Sequence, residues 1–309
     1  MRSNRARRRA GIAAAAATAC FVALIAAPAT DCKPKRGVRT HPPPLEWPGT
    51  VEHVVIVSID GLAADEVDGE FTPVLMKMIA EGASTVAAQT VTPSLTLPAH
   101  TSMVTGLTPD HHRIKWNNYR PSLGNLQATT IFDVARDNGF TTAVFAGKDK
   151  LKHIFQEDDV DLCFIAQHND REVMKEAIQH LHTDSPNLML IHLPDVDRAG
   201  HFAGWKSGMQ LGVVREADRL VGSLLDAIEV LEMRGKTAVI VTADHGGQGR
   251  HHSSNDTDVR TVPWIVWGDS IAHRTLAPVS ITATANTALR LLGVEIPEDW
   301  AARDEAVSP

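Results

Sequence analysis

Short strand-like runs alternate along this chain with stretches of helical pattern, and the most apolar runs constrain the fold most. Val54-Val55-Ile56-Val57 and Val239-Ile240-Val241 have no polar face, so they suit strands buried on both sides of a parallel sheet. The spacing predicts strands over 51–59, 84–89, 141–146, 188–193, 237–242 and 262–267. Between them it predicts helices over 72–81, 98–105, 130–138, 170–181, 209–233 and 281–292. Strands alternating with helices imply crossover connections and an α/β fold, a single doubly wound, mostly parallel sheet with helices on both faces. Ligands of such sheets sit beyond the carboxyl ends of the strands. Asp60, the stretch 192–197 and the stretch 243–245 each follow a predicted strand.

At 309 residues and 43% hydrophobic, the chain can bury one large core, and it shows no internal repeat. Its first residues read as an export signal: Arg2, Arg5, Arg7, Arg8 and Arg9, an apolar stretch over 11–27, then Ala27-Pro28-Ala29 as a small-residue cleavage site. The organisation expected is a signal peptide over 1–29, with an uncleaved N-terminal membrane anchor as the alternative, a Pro-rich linker over 30–49 and a catalytic domain over 50–309. Residues 1–39 hold nine Lys or Arg and one acid; the rest carries 21 bases against 36 acids, net −15. A body this acidic disfavours binding to nucleic acid polymers and leaves small anionic substrates at a metal site open. Three cysteines, of which only Cys163 lies in the body, imply no disulfide framework.

A lone Asp-Gly after a strand is usually a turn. Here, however, Asp244-His245-Gly246-Gly247 also follows an apolar strand, with glycines read as room for a ligand to approach. Asp197 and His201 stand four apart, and His251-His252 follows in a Gly-rich loop. Carboxylates and imidazoles from three strand ends make a metal-ligand set.

Val54-Val55-Ile56-Val57-Ser58-Ile59-Asp60-Gly61, Thr92-Pro93-Ser94-Leu95-Thr96-Leu97-Pro98-Ala99-His100, Val104-Thr105-Gly106-Leu107, Asp197-Arg198-Ala199-Gly200-His201 and Thr242-Ala243-Asp244-His245-Gly246-Gly247 follow one another in that order. Through these motifs the chain resembles the type I phosphodiesterase and nucleotide pyrophosphatase branch of the alkaline phosphatase superfamily. Carried over, the resemblance implies two divalent metal ions, zinc by family habit. Asp60, Thr96, Asp244 and His245 would bind one, and Asp197, His201 and His252 the other. It also implies Thr96 as nucleophile, a phosphothreonine intermediate and Asn117 as the amide that meets a phosphoryl oxygen, with a small phosphate diester or pyrophosphate as substrate.

Alternatives stand beside several positions. Ser94 offers a second hydroxyl, Thr96 is also suited to cap the helix that Pro98 begins, and Asp195 competes with Asp197. His251 against His252, where Ser253 replaces the glycine usual in the family, and Asn117 against Asn118 stay open. Histidines 100, 111, 112 and 192 are read as orienting or packing residues, Trp264 and Trp267 as packing, and Trp116 and Tyr119 as a substrate platform. A sulfatase would need Cys or Ser followed by Pro and Arg at the nucleophile, which Thr96-Leu97-Pro98-Ala99-His100 lacks. A phosphomonoesterase and a non-catalytic metal- or anion-binding protein on the same fold are the competing functions.

Overall fold

The computed structural model describes residues 51–296 except 157 and 255, so the expected export segment (1–29) and the whole of the linker (30–49) lie outside the described residues. Its strands are β1 (His53–Ile59), β2 (Ala83–Gln89), β3 (Thr142–Ala146), β4 (Leu162–Ile165), β5 (Leu188–Leu193), β6 (Thr237–Thr242), β7 (Thr261–Trp267) and β8 (Arg274–Thr275). Its α-helices are α1 (Pro73–Glu81), α2 (Thr96–Thr105), α3 (Pro109–His112), α4 (Ile131–Asp137), α5 (Asp170–Thr183), α6 (Asp195–Ala203), α7 (Gly208–Val230), α8 (Thr257–Arg260) and α9 (Ala283–Leu291).

The strands form one sheet in the order β4-β3-β5-β1-β6-β7-β2-β8. Pairing is parallel from β4 through β6 and antiparallel on both sides of β7. The doubly wound, mostly parallel α/β fold expected from the sequence is therefore the fold observed. Every residue of β1, β3, β5 and β6 is buried, as strands covered on both faces require. Val54, Val55, Ile56 and Val57 are fully inaccessible, and each such side chain contributes about 1.5–3 kcal/mol to the core. Helices α1, α5, α6 and α7 pack together as one group, and α2, α4 and α9 as another.

Besides the short α3, α8 and β8, two elements were not foreseen. Strand β4 is only four residues, Leu162-Cys163-Phe164-Ile165, too short to announce itself by pattern, and its pairing with β3 holds it in place. Helix α6 occupies the stretch read as a bare strand end. It is only nine residues long and contains Gly200, but Asp195 and Asp197 in its first turn suit the positive end of a helix dipole.

Parallel pairing sends the carboxyl ends of β1, β3, β5 and β6 to one edge of the sheet. Because β7 opposes both β6 and β2, the end of β2 and the start of β7 reach that edge too. Every segment that carries a candidate site residue emerges there.

Candidate metal centre

Asp60 is the residue after β1, and Asp244 and His245 lie two and three residues after β6; all three are fully buried. Gly61 turns the chain away from Asp60 at φ +84°, and a Cβ there would come within 2.9 Å of the Asp197 backbone. The turn therefore requires glycine. Its N–H donates to Asp244 Oδ1 at 3.1 Å, and the Asp197 N–H donates to the Asp60 carbonyl at 2.9 Å, so three strand ends are laced together through backbone N–H groups.

Helix α6 places Asp197 and His201 on one face, one turn apart. Trp205, just beyond it, donates its indole N–H to the Gly61 carbonyl at 2.8 Å. The glycines read from the sequence as room for a ligand serve this packing instead. A Cβ on Gly247 would meet the Trp205 ring at 2.1 Å, one on Gly200 would meet it at 2.6 Å, and one on Gly246 would meet the Asp258 carbonyl at 2.2 Å.

Thr96 is the first residue of α2, whose N-cap is Leu95. The hydroxyl of Thr96 is buried and makes no hydrogen bond among the described residues. It is thus not the helix cap. Asn117 Oδ1 accepts from the Leu97 N–H at 3.0 Å, which fixes that side chain beside the start of α2 with its NH2 still to donate.

The tautomers of the candidate ligands follow from their main-chain partners. His245 Nδ1–H donates to the Gly246 carbonyl at 2.9 Å, His252 Nδ1–H to the Ser94 carbonyl at 2.9 Å, and His201 Nδ1–H to the Arg250 carbonyl at 3.0 Å. In each ring the lone pair is left on Nε2, the arrangement typical of metal-binding imidazoles. His201 Nε2 is 3.3 Å and His252 Nε2 3.7 Å from Asp197 Oδ1, while His245 Nε2 is 3.3 Å from Asp244 Oδ2 and 3.7 Å from Asp60 Oδ1. Ligand atoms of Asp60, Asp244 and His245 lie within 4.8 Å of one another, as do those of Asp197, His245 and His252. His245 therefore stands between the two sites.

The donor set fits divalent cations on a second count. Asp60 Oδ1, Asp197 Oδ1, Asp244 Oδ2, His245 Nε2 and Thr96 Oγ1 are buried without a hydrogen-bond partner among the described residues. Orphaned buried acceptors are costly, and a cation satisfies all of them.

Lys148, two residues after β3, is the positive charge inside the centre. Its ammonium lies 2.8 Å from Asp60 Oδ2 and 2.6 Å from Asp197 Oδ2. Burial opposes ionisation of Asp60, but the Lys148 ammonium and a 2.7 Å hydrogen bond from His192 hold its carboxyl well below the usual range. Asp197 is held low in the same way, with burial and Asp60 opposing and Lys148 prevailing. Asp244, for which burial and the Asp60 charge dominate, is pushed up. Burial and the neighbouring His245 push His252 down to about 4, and burial pushes His100 down to about 4 against the pull of Asp244. The Asp197 carboxylate beside His201 raises the His201 pKa.

The structure separates the paired candidates. His252 is buried at the centre while His251 is exposed; Asn117 is half-buried against α2 while Asn118 is exposed. Asp195 points away to the Asp170 N–H and Arg198, and Ser94 donates to the His252 carbonyl. His112 bonds Ser102, and Trp264 and Trp267 bond Thr284 and Glu81. Trp116 and the 47% exposed Tyr119 both lie against His153. Sequence reasoning passed over Lys148 altogether. The signal was present, because Gly147-Lys148 follows β3 as Asp60 follows β1.

These carboxylates and imidazoles form a group that could hold divalent metal ions. The family model for type I phosphodiesterase / nucleotide pyrophosphatase matches residues 54–265; the chain belongs to that family. A bis(5'-adenosyl)-triphosphatase of Xenopus laevis is 26% identical over 282 residues, 80% of this chain and 61% of its own. The chain spans about half the length of the curated relatives it matches. Murine ectonucleotide pyrophosphatase/phosphodiesterase 5, solved as an inactive variant in complex with AMP, superposes at a TM-score of 0.67 with 14% identity, over 81% of this chain and 97% of its own. A protein in the alkaline phosphatase superfamily from Vibrio parahaemolyticus superposes at 0.62 with 18% identity, over 81% of this chain and 68% of its own. At these identities the structures share the fold.

Proposed function

We propose that this chain is an exported, metal-dependent phosphodiesterase of the nucleotide pyrophosphatase type, acting on small diesters or pyrophosphates through Thr96. One observation carries this reading: the buried Thr96 hydroxyl, without a hydrogen-bond partner among the described residues, stands at the first turn of α2, where His100 Nδ1 meets the Thr96 carbonyl at 2.8 Å and lies 3.6 Å from Asp244 Oδ2, one of the unpartnered carboxylate oxygens that the imidazole Nε2 atoms face. Two divalent cations, zinc by the mixed oxygen and nitrogen donor set, would be held by Asp60, Thr96, Asp244 and His245 and by Asp197, His201 and His252, and would lower the hydroxyl pKa and offset charge that develops on oxygen.

The chain's own groups then divide the work. Thr96 Oγ1, its proton released to solvent, attacks phosphorus, forming a phosphothreonine as the alcohol or phosphate oxygen departs with its bonding pair and takes up a proton from solvent. Water then attacks the same phosphorus, and Thr96 Oγ1 leaves with the electrons of the P–O bond, regaining its proton. Asn117, its oxygen committed to the Leu97 N–H, presents its NH2 to a non-bridging oxygen. Trp116 and Tyr119, on the rim, offer an aromatic face to a base or acyl group.

A neutral amide suits the single charge of a diester. Lys148 favours a second reading, a phosphomonoesterase, because a dianion wants a further cation; its ammonium, however, is already shared by Asp60 and Asp197. Hydrolysis of bis-p-nitrophenyl phosphate against p-nitrophenyl phosphate, with zinc and with chelator, decides between them. Zinc-dependent preference for the diester is expected; preference for the monoester overturns the diesterase reading, and no turnover of either points to a binding protein. Export rests on the basic and apolar residues 1–29, and N-terminal sequencing of the secreted protein tests it: a start near Thr30 is expected.

A further inference from the structure

We propose that Lys148 is a positioning residue that ties the two metal sites to each other and keeps Asp60 and Asp197 as single-oxygen ligands. The inference rests on the two-metal reading. Each of these carboxylates has its two oxygens put to different use. Both Oδ2 atoms receive the Lys148 ammonium, at 2.8 Å from Asp60 and 2.6 Å from Asp197. Both Oδ1 atoms are buried, lack a hydrogen-bond partner among the described residues and face the Nε2 atoms of His245, His201 and His252. An oxygen engaged by an ammonium is a poor second ligand, so the carboxylates are restricted to one metal-facing oxygen apiece.

The end of β3 is built to deliver this contact. Gly147 N–H donates to His192 Nδ1 at 3.3 Å, which leaves the His192 proton on Nε2 to donate to Asp60 Oδ2 at 2.7 Å. Adjacent residues 147 and 148 thus fix the same oxygen, one through His192 and one directly. Gly147 also packs against Pro194, the N-cap of α6; a Cβ there would meet Pro194 Cγ at 2.4 Å. The close approach of β3 to the start of α6 is what brings the Lys148 stem within reach of Asp197. Lys148 is 6% exposed, and its ammonium offsets one of three buried carboxylates while leaving two for the metals.

Cobalt(II) titration of the full chain followed by visible absorption tests this, because d–d band intensity reports coordination number. Wild type is expected to take two equivalents. Lys148→Met is expected to take two as well, with band intensity lowered about twofold or more as freed oxygens join the metal, and with kcat for bis-p-nitrophenyl phosphate down about 10- to 100-fold at nearly constant KM. Lys148→Arg, which keeps the charge and changes the spacing between the two oxygens, is expected to alter the spectrum too, and it decides the matter if Lys148→Met does not fold. Variant spectra identical to wild type overturn the inference and leave the metal centre standing. Loss of cobalt from both variants also overturns it, since the lysine would then serve only to hold the site together. A wild-type protein that takes no cobalt overturns the metal reading itself, and the inference with it.

Discussion

The two halves of the centre are built differently. Around Asp60, Asp244 and His245 every side chain is fully buried, and the proposed ligand set assigns the buried hydroxyl of Thr96 to this half. Around Asp197 and His252 the side chains are 6% and 7% exposed, and His201 is 45% exposed. Buried ligands exchange slowly and hold fixed geometry, whereas an exposed imidazole at the lip of a site admits water and product. The inner half thus suits the nucleophile, and the outer half suits the leaving group and the water that follows it.

Removing the nucleophile should break this division most severely. Thr96→Ala is expected to lower kcat by about 10³-fold or more while two equivalents of metal remain bound; retained turnover would transfer the role to another group. Next come the ligands. Asp60→Ala is expected to abolish one equivalent of zinc outright, whereas His201→Ala weakens the other by about 10- to 100-fold and leaves the inner one unchanged, as read by calorimetry. Equal losses in the two variants would erase the distinction between the halves. Asn117→Ala, which removes a donor and keeps the ligands, is expected to reduce kcat by about 10²-fold with metal content intact.

The smallest effect concerns a buried acid outside both halves. Asp60 ionises because Lys148 and His192 outweigh burial; for Glu66 burial prevails and raises its pKa from 4.5 to about 7. The folded state therefore keeps a proton that the unfolded chain loses above pH 4.5, so Glu66 costs stability increasingly as pH rises from 4.5 and fully above about 7. Glu66→Gln should stabilise the protein at pH 8 by about 2 kcal/mol and hardly at all below pH 4.5, in thermal melts. A gain that does not vary with pH would show that Glu66 is ionised in the fold.

Much of this was legible before any tertiary contact. The apolar strands β1, β5 and β6 have a period that hides no face, and each is followed by its chemistry: Asp60, Asp197, then Asp244 and His245. Thr96 was named through its neighbours, although its place as the first residue of α2 rather than a cap was not. Helix α6 escaped because it is only nine residues long, interrupted by Gly200, and held by Pro194 and Trp205 from outside. The glycines 246 and 247 were visible, yet what they make room for is Trp205 and the Asp258 carbonyl, partners that no local pattern reveals.

Taken alone, then, the sequence determined the α/β order, the residue types of the centre and the strand ends that present them, because periodicity and strand-end chemistry are local properties. Tertiary structure alone decided between neighbours such as His251 and His252, set the imidazole tautomers and drew Lys148 between Asp60 and Asp197. Such outcomes depend on groups up to 183 residues apart in the chain, as for Gly61 and Asp244, meeting within hydrogen-bond distance. That convergence is produced by the parallel register of the sheet and is written in no single segment.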